Sequence, residues 1–485
     1  MPATNHPVGP STEPVRAGDH VSVTSLARTT ASARPGLPPV VGGRFRPVLE
    51  LRRNMVAHNE RMWRAHGDLV RHVLGPPGAD REIWMLHHPD AAARVLSGSS
   101  WRAFAKQDPT YEEVGSWLGH GLLTVEGEEW TRQKRFVQPL FTKPAVDGYA
   151  DLMVDEVERV VAERDDTGTD VVDLGRWMQG LALRVVLKAL FGESSGEVLH
   201  HVRRAFPVVA DTVVRRGVGI VRLPTAIPTP RVRRGRAAQA ELFGVCDAMI
   251  AARRARGADD GTDLLSRLLR ARDGEELLSD DEVRDQVLVF LLAGHETTAI
   301  ALTFALHLLG RHPDVQDAVR AEIREVVGDA RPTAAATASL PLTTAVLKET
   351  MRLYPSVPFI PRLTVADDEV LGHPIRVGTT VVLGPWSIHR HPEFWEDPLT
   401  FDPSRFAPDV EAAARRHRYA WMPFGGGPRA CIGQHFSMVE AALALAVLLR
   451  GHRVDAVADT DHVPVDTLLT LFPTEPVLAR VARLP

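Results

Sequence analysis

The sequence predicts a mainly α-helical protein with small β-sheets. The clearest evidence is an apolar stretch at 279–310, which is long enough for one continuous helix. Other helical patterns lie before and after it. Residues of β type, interrupted by Gly and Pro, are confined to two short regions at 69–86 and 362–384. Because 44% of the 485 residues are hydrophobic, the chain can bury a large core.

The N-terminal half begins with a polar segment at 1–36 that is rich in Pro, Ser, Thr and Ala. This composition predicts a disordered arm. Residues 69–74 and 82–86 then predict two strands, because turn residues separate them. No clear period is present at 100–125, which predicts a long loop. Helices are predicted at 128–141, 146–162 and 171–191.

The second half begins with a proline-rich segment at 217–236. Its prolines remove backbone donors and predict a mobile loop between two helices, with an ordinary solvated connector as the alternative. In the long apolar stretch, Ser279 and Glu282 have the spacing of a capping box, and the helix they start is roughly 45 Å long. Further helices are predicted at 237–256, 262–272, 314–327, 342–353 and 434–449.

Composition narrows the functional classes. The formal net charge of −4 and the pI near 6.6 give no general affinity for nucleic acid. The two cysteines, Cys246 and Cys431, cannot form a disulfide framework or a zinc site, and they suit a reducing compartment. The segment 287–309 is long enough to span a membrane, but the polar centre at 294–298 favours a buried core helix without a membrane span.

The segment at 424–433, Phe-Gly-Gly-Gly-Pro-Arg-Ala-Cys-Ile-Gly, is the most informative motif. Its glycines permit a turn whose backbone N–H groups approach a single sulfur atom, and such donors stabilise a thiolate. A thiolate binds metal, so Cys431 is a candidate metal ligand. The alternative is a small, inert core cysteine.

A second motif lies inside the long helix, at 293–298. Gly294 weakens a helix interior, and the ionisable side chain of Glu296 is costly there unless it has a partner. Residues that break local rules mark functional sites, and an acid beside the hydroxyl of Thr297 can transfer protons. The alternative is a helix kink in which the threonines bond back to the preceding turn.

Taken with Glu349-x-x-Arg352 and the segment 401–406, the order and spacing of these motifs resemble the cytochrome P450 family. The resemblance covers residues 37–480 and implies one P450 domain over 37–485. It implies the P450 fold, with haem b between the long helix and the loop that carries Cys431. It assigns these roles: iron ligand, Cys431; haem loop, Phe424; proton delivery, Glu296 and Thr297; structural triad, Glu349, Arg352 and Arg405.

The same resemblance implies contacts to the haem propionates from four positions: Trp130, Lys134, Arg362 and Arg429. Lys134 occupies the place where an arginine is more common in the family. Lysine binds as a point charge without the bidentate fork of arginine. Arg135, the next residue, is therefore the alternative propionate ligand.

By the resemblance, the protein is a cytoplasmic monooxygenase that transfers one oxygen atom from O2 to a lipophilic molecule. The expected pocket includes Ala293, Val357 and Phe359, and a bacterial terpenoid or polyketide is the expected substrate class. Electrons would come from NAD(P)H through a ferredoxin reductase and a ferredoxin to a monomeric enzyme. The basic residues expected to bind the ferredoxin are Arg132, Arg135, Arg415, Arg416 and Arg418.

Other functions remain open at the level of sequence. The enzyme could use peroxide or rearrange its substrate without O2, although Glu296 and Thr297 argue against both. A fatty-acid hydroxylase is a further alternative. A non-enzymatic haem or ligand-binding protein, and a helical interaction protein without haem, belong to different classes.

Overall fold

The computed structural model describes residues 36–78, 80–166, 168, 170–192, 196–217, 224–225, 227–256, 261, 263–407 and 415–485. Residues Leu37–Pro485 form one compact unit. Apart from Gly36, the arm predicted at 1–36 lies outside the described residues. The centre of the predicted loop at 217–236 lies outside them as well.

Helices dominate the described chain. In chain order they are α1 (Arg46–Arg53), α2 (Met55–His66), α3 (Pro89–Leu96), α4 (Pro109–Leu118), α5 (Gly127–Val137), α6 (Lys143–Asp147), α7 (Ala150–Asp166), α8 (Leu174–Phe191), α9 (Gly196–Gly217), α10 (Pro230–Ala255), α11 (Leu264–Arg270), α12 (Asp280–Arg311), α13 (Pro313–Val326), α14 (Ala334–Thr337), α15 (Pro341–Leu353), α16 (Pro385–Ile388) and α17 (Gln434–Gly451).

The strands are short, and those near the C-terminus contribute buried residues to the same core as the helices. They are β1 (Leu69–Leu74), β2 (Arg81–Leu86), β3 (Phe104–Ala105), β4 (Val171–Asp173), β5 (Arg272–Asp273), β6 (Glu276–Leu277), β7 (Ile360–Thr364), β8 (Asp368–Val370), β9 (His373–Ile375), β10 (Thr380–Leu383), β11 (His452–Ala456), β12 (Val465–Thr467), β13 (Leu471–Pro473) and β14 (Leu478–Arg483). The largest sheet has the order β1-β2-β10-β7-β3, and β11-β14-β4 form a second sheet. The mainly α-helical class with small sheets is therefore confirmed.

The helix α12 crosses the core and packs against α8, α10, α15 and α17. Its start is the predicted capping box: the Glu282 N–H donates to Ser279 Oγ at 3.2 Å, and the Ser279 N–H donates to Glu282 Oε2 at 2.7 Å. By length and composition α12 could cross a membrane, but 78% of its most apolar window is buried within the protein. It is thus the central core helix, as predicted.

The loops predicted at 100–125 and 217–236 were wrong in part, because each segment contains the capped start of a helix. Within 100–125, the Asp108 carboxylate accepts from two backbone N–H groups and starts α4. Within 217–236, Thr229 caps α10, and Pro230 occupies its first turn. The arginines at 231–236 are therefore helical rather than part of a loop. The C-terminal strands β11 to β14 were not predicted.

Glu349 and Arg352 form an ion pair near the C-terminal end of α15, and both side chains are fully buried. Two hydrogen bonds of 2.7 Å join the guanidinium to the carboxylate in bidentate geometry. The remaining Arg352 N–H groups donate to backbone carbonyls that follow α16: His389 O, Pro398 O and Thr400 O. The pair therefore orders an irregular segment that has little secondary structure of its own.

Arg405, the third member predicted from the sequence, lies beside this pair. Its Nε is 3.5 Å from Glu349 Oε1, and its Nη2 donates to Asp397 O at 3.2 Å. The Asp402 N–H also donates to Glu349 Oε1, at 3.0 Å. The structure thus brings Glu349, Arg352 and Arg405 together.

We predict that Arg352→Met destabilises the protein by about 3–5 kcal/mol, because it leaves the Glu349 carboxylate buried without its partner. Chemical denaturation followed by circular dichroism measures the free energy of unfolding. The control is Arg324→Met, which changes an exposed arginine of α13 and should alter stability by less than about 0.5 kcal/mol. Equal stability of the two variants would contradict a structural role for the pair.

Candidate active site

The loop that carries Cys431 depends on its glycines. Gly427 has φ +64°, and a Cβ atom there would lie 1.7 Å from the carbonyl oxygen of Leu96. A Cβ atom on Gly426 would lie 2.3 Å from the Tyr419 ring. Larger residues therefore cannot occupy these positions without moving the loop. The Cys431 N–H donates to the Phe424 carbonyl at 2.9 Å and closes the turn.

The Cys431 side chain is exposed, but its exposed surface belongs to the wall of an internal cavity. Burial raises the pKa of the Cys431 thiol, whereas the Gly433 N–H and the positive charge of Lys106 act in the opposite direction. Gly433 thus supplies one of the backbone donors predicted from the sequence. A positively charged metal would favour the thiolate further.

The first cavity lies between this loop and α12 and has a volume of about 290 Å³. The helix contributes Ala293, Gly294, Thr297 and Thr298 to one wall, and the loop contributes Phe424 and Cys431 to the other. Gly294 also faces α8, because a Cβ atom there would lie 3.2 Å from Val186. The two motifs found in the sequence therefore face a common space.

The hydroxyl groups of α12 bond back to the preceding turn. Thr297 Oγ1 donates to Ala293 O at 2.8 Å, and Thr298 Oγ1 lies 3.2 Å from Gly294 O. The back-bonded arrangement that was the alternative interpretation is thus present. It does not remove Thr297 from the site, because Thr297 also lines the cavity. The neighbouring Glu296 carboxylate accepts a hydrogen bond from Thr470 at 2.8 Å.

Positive side chains gather on one side of the first cavity. Lys106, Arg362 and Arg429 line it, and the side chains of Lys106 and Arg362 are 9% and 4% exposed, respectively. Burial lowers the pKa of Lys106 well below its usual range, and the charges of Arg362 and Arg429 lower it further. Burial likewise lowers the pKa of Arg429, to about 10. The Glu126 carboxylate, 3.4 Å from Arg429 Nη1, offsets part of this charge, and further anions would neutralise the rest.

The Trp130 ring contacts two cations near the Cys431 loop, Arg429 and Lys134. The Arg429 guanidinium lies 4.6 Å from the Trp130 ring centroid and donates to Val125 O at 3.0 Å. On the same ring, Lys134 Nζ lies 4.8 Å from the centroid, and it donates to Pro428 O at 3.3 Å. Arg135 points elsewhere, because it pairs with Asp273 at 2.8 Å and its side chain is 60% exposed. The structure therefore favours Lys134 over Arg135 as a ligand in the cavity.

These features fit a flat, apolar group with two carboxylates and a metal at its centre. Cys431 offers a metal ligand, the glycine of α12 permits close approach, and the cations match the carboxylates. A family model described as "Cytochrome P450" matches residues 35–481. The chain belongs to the cytochrome P450 family.

Relatives and solved structures agree with this assignment. The chain is 35% identical, over 84% of its length and 89% of the relative's, to "Cyclooctat-9-en-7-ol 5-monooxygenase" of Streptomyces melanosporofaciens. It is 34% identical to "Pentalenene oxygenase" of Streptomyces avermitilis, over 94% and 98% of the two chains. The crystal structure of the cytochrome P450DA heme domain matches with a TM-score of 0.78 and 30% identity, over 88% and 92% of the two chains.

The family implies a haem-thiolate cofactor, O2, a redox partner and a lipophilic substrate. The P450 is therefore a monooxygenase, which confirms the class predicted from the sequence. Membership of this enzyme class excludes two hypotheses from the sequence, a non-enzymatic haem or ligand-binding protein and a helical interaction protein without haem. The individual residue roles stay predictions.

A second cavity of about 270 Å³ adjoins the first. Its walls include Leu292, Phe359, Leu468 and Leu469, and much of its remaining surface is also apolar. The residues that line both cavities are Tyr111, Leu123, Ala293, Thr297 and Val357. Of the residues expected to form the substrate pocket, Ala293 and Val357 line both cavities, and Phe359 lines the second.

Several residues at the site were missed in the sequence. Lys106 and Tyr111 come from the segment predicted as a loop, and Thr470 comes from the unpredicted hairpin formed by β12 and β13. No short motif surrounds them. The position of Lys106 directly after the apolar pair Phe104-Ala105 was the one available signal for it.

Glu440 is a further buried acid, on α17 beneath the α12 motif. Neither of its carboxyl oxygens has a hydrogen bond of ordinary geometry within the described part of the chain. The nearby Thr298 hydroxyl, which interacts weakly with it, also lies 3.1 Å from the Ser437 hydroxyl. Burial raises the pKa of Glu440 well above its usual range, so the neutral acid is favoured in the folded protein.

We predict that Glu440→Gln stabilises the P450 more at pH 8 than at pH 5. In the unfolded chain Glu440 loses its proton near pH 4.5, whereas the folded protein retains it at higher pH. The wild type therefore loses stability as the pH rises above about 4.5, but the amide does not ionise. Thermal unfolding of wild type and variant at both pH values measures the difference. The control is Glu325→Gln, on the exposed face of α13, and a pH-independent effect at Glu440 would contradict the prediction.

Proposed function

We propose that this P450 hydroxylates a terpenoid, with haem b as its cofactor and a ferredoxin as its electron donor. The observation that carries the proposal is the pair of adjoining cavities. One has the Cys431 sulfur in its wall, and the other is largely apolar. Their shared boundary, at Ala293 and Thr297, is where a bound substrate would meet the cofactor. The names of two relatives, an oxygenase of pentalenene and a monooxygenase of a cyclooctatenol, support the substrate class.

Each residue around the first cavity has a proposed role toward the haem. Cys431 supplies the thiolate that binds the iron, and Lys106, Lys134, Arg362 and Arg429 neutralise the propionates. Trp130 holds two of these cations in place through its ring. When bound, the haem supplies the binding and activation of O2.

Proton delivery falls to the chain's own residues on α12. Thr297 lines both cavities, its hydroxyl donates to Ala293 O, and Glu296 precedes it on the same helix. The Ser356 hydroxyl donates to the Thr297 carbonyl at 2.8 Å, which fixes the backbone at this point. We propose that Glu296 passes protons from solvent to the Thr297 hydroxyl, which holds them beside the reacting oxygen.

The electron donor is proposed to bind near the Cys431 loop. Arg418 is exposed just before this loop. Arg416, however, is half-buried and lies over the Trp395 ring at 3.9 Å, so the expectation that it binds the ferredoxin is not supported. Arg132 is engaged as well, at 2.6 Å from Glu282. An acidic ferredoxin would bind Arg418 through long-range attraction. We also propose that the enzyme is a cytoplasmic monomer.

The proposed function predicts a spectral shift and an oxygenated product with terpenoids. The experiment titrates the purified holoenzyme with a panel of cyclic terpenes, fatty acids and polyketides, and then supplies NAD(P)H with surrogate redox partners under ¹⁸O₂. One labelled oxygen atom should appear in a terpenoid product. Turnover of fatty acids alone would refute the substrate class.

Cys431→Ser should lose the thiolate signature of the reduced carbon-monoxide spectrum. An unaltered spectrum in this variant would refute the ligand assignment.

Thr297→Ala should retain haem and substrate binding but release a larger share of its electrons as hydrogen peroxide. The reason is that the methyl group cannot hold a proton or water beside the reacting oxygen. Product formed per NAD(P)H consumed should fall severalfold, because electrons that do not reach the substrate leave as hydrogen peroxide. Thr303→Val is the control, because Thr303 makes the same back-bond within α12 but lies outside both cavities. Tight coupling in Thr297→Ala would count against the proton route.

Arg418→Glu should slow reduction by an acidic ferredoxin severalfold and flatten the dependence of this rate on salt. The substrate-induced spectral shift should stay unchanged. Arg233→Glu makes the same change of charge at an exposed position of α10 and serves as the control. Equal reduction rates for the two variants would show that the donor binds elsewhere.

A further inference from the structure

The hairpin formed by β12 and β13 makes one hydrogen bond to the proton-carrying segment of α12 and a second to Ser356, which itself bonds to that segment. At its tip, Thr470 Oγ1 donates to Glu296 Oε2 at 2.8 Å. Next to it, the Leu471 N–H donates to the Ser356 carbonyl at 2.9 Å. Ser356 in turn donates through its hydroxyl to the carbonyl of Thr297. The Glu296 carboxylate and the Thr297 backbone carbonyl are therefore both connected to one hairpin.

The base of this hairpin is held independently of its tip. Asn54 Nδ2 donates to the Val465 carbonyl at 2.9 Å, and the Met55 N–H donates to Asp466 Oδ1 at 2.9 Å. The tip is tightened by a single backbone bond from the Leu468 N–H to the Thr470 carbonyl at 3.2 Å, and by the Thr467 hydroxyl. A displacement of the tip would therefore change mainly the hydrogen bonds that Thr470 and Leu471 make with other elements.

The tip is also part of the second cavity. Leu468, Leu469 and Thr470 all line it, as does Phe359. The side chain of Leu468 is 37% exposed. A lipophilic molecule that fills this part of the cavity would pack against Leu468 and Leu469, which directly precede the Glu296 partner Thr470. Occupancy of the second cavity and the position of the Glu296 carboxylate are therefore linked through residues 468–470 of the hairpin tip.

We propose that Thr470 is a positioning residue that places the Glu296 carboxylate and makes its proton delivery depend on the substrate. Thr470 donates a hydrogen bond to the carboxylate and orients it from the substrate side. A substrate that packs against Leu468 and Leu469 fixes the tip and, through Thr470, the acid. This inference rests on the proposed roles of Glu296 and Thr297 and adds a residue to them.

The test is Thr470→Val, which keeps the shape of the side chain and removes the donor. Product formed per NAD(P)H should fall at least threefold, hydrogen peroxide should rise, and the solvent isotope effect on turnover should change. Haem content and the dissociation constant for substrate should stay within twofold of wild type. Thr470→Ser, which restores the hydroxyl, should restore coupling.

A second readout does not use activity. Infrared difference spectra of the holoenzyme, Thr470→Val minus wild type, should show a shifted carboxylate band because the carboxylate loses a hydrogen bond. The band should be absent when both proteins carry Glu296→Gln. Thr474→Val is the matched control, because the Thr474 hydroxyl bonds to Pro464 O at the base of the same hairpin and lies outside the cavity.

Glu296→Gln separates the two levels of the proposal. If Glu296→Gln stays tightly coupled, the proposed role of the acid fails, and the inference fails with it. If Glu296→Gln uncouples but Thr470→Val matches wild type in coupling and infrared spectrum, the inference alone is overturned. If Thr470→Val uncouples and adds nothing in the Glu296→Gln background, Thr470 acts through Glu296 as proposed.

Discussion

The buried ion pair of Glu349 and Arg352 is the constraint on which the rest of this structure depends. Both groups leave water completely, so the pair is tolerated only because the guanidinium and carboxylate are fully provided with partners. Those partners are backbone groups of the segment 389–402, which has almost no regular structure. The ion pair thus replaces the missing sheet or helix bonds of this segment. The chain leaves it with a defined path toward the Cys431 loop.

Aromatic packing extends this order from the ion pair to the loop. The Trp395 ring lies between two guanidinium groups, Arg352 at 4.9 Å and Arg416 at 3.9 Å from its centroid. The Trp395 N–H donates to the Ala420 carbonyl, and the Met422 N–H donates to the buried His389 ring. Because burial favours the neutral His389 ring, with a pKa near 3, its nitrogen can accept this bond. The loop therefore begins on a rigid support.

The cavity combines a rigid frame with a charge distribution that needs a ligand. Lys106, Arg362 and Arg429 would repel one another strongly at low dielectric, and burial lowers the pKa of Lys106 and Arg429 accordingly. A cofactor with two carboxylates relieves this repulsion, so its binding stabilises the folded state. On the opposite wall, α12 gives up helix stability at Gly294, where a Cβ atom would lie 3.2 Å from Val186 of α8. This glycine therefore allows α8 and α12 to pack closely.

The sequence by itself determined what depends on local patterns. The capping box and apolar run of α12 predicted its length, and fixed spacing identified Cys431, Glu349 and the segment 293–298. Tertiary structure decided the rest: that Lys134 rather than Arg135 faces the cavity, that Lys106 joins the cations, and that Thr470 reaches Glu296. These contacts join residues that are far apart in the chain, and side-chain direction depends on how distant elements pack. A motif records the chemistry of its own segment, whereas the partners of that chemistry are set by the folded core.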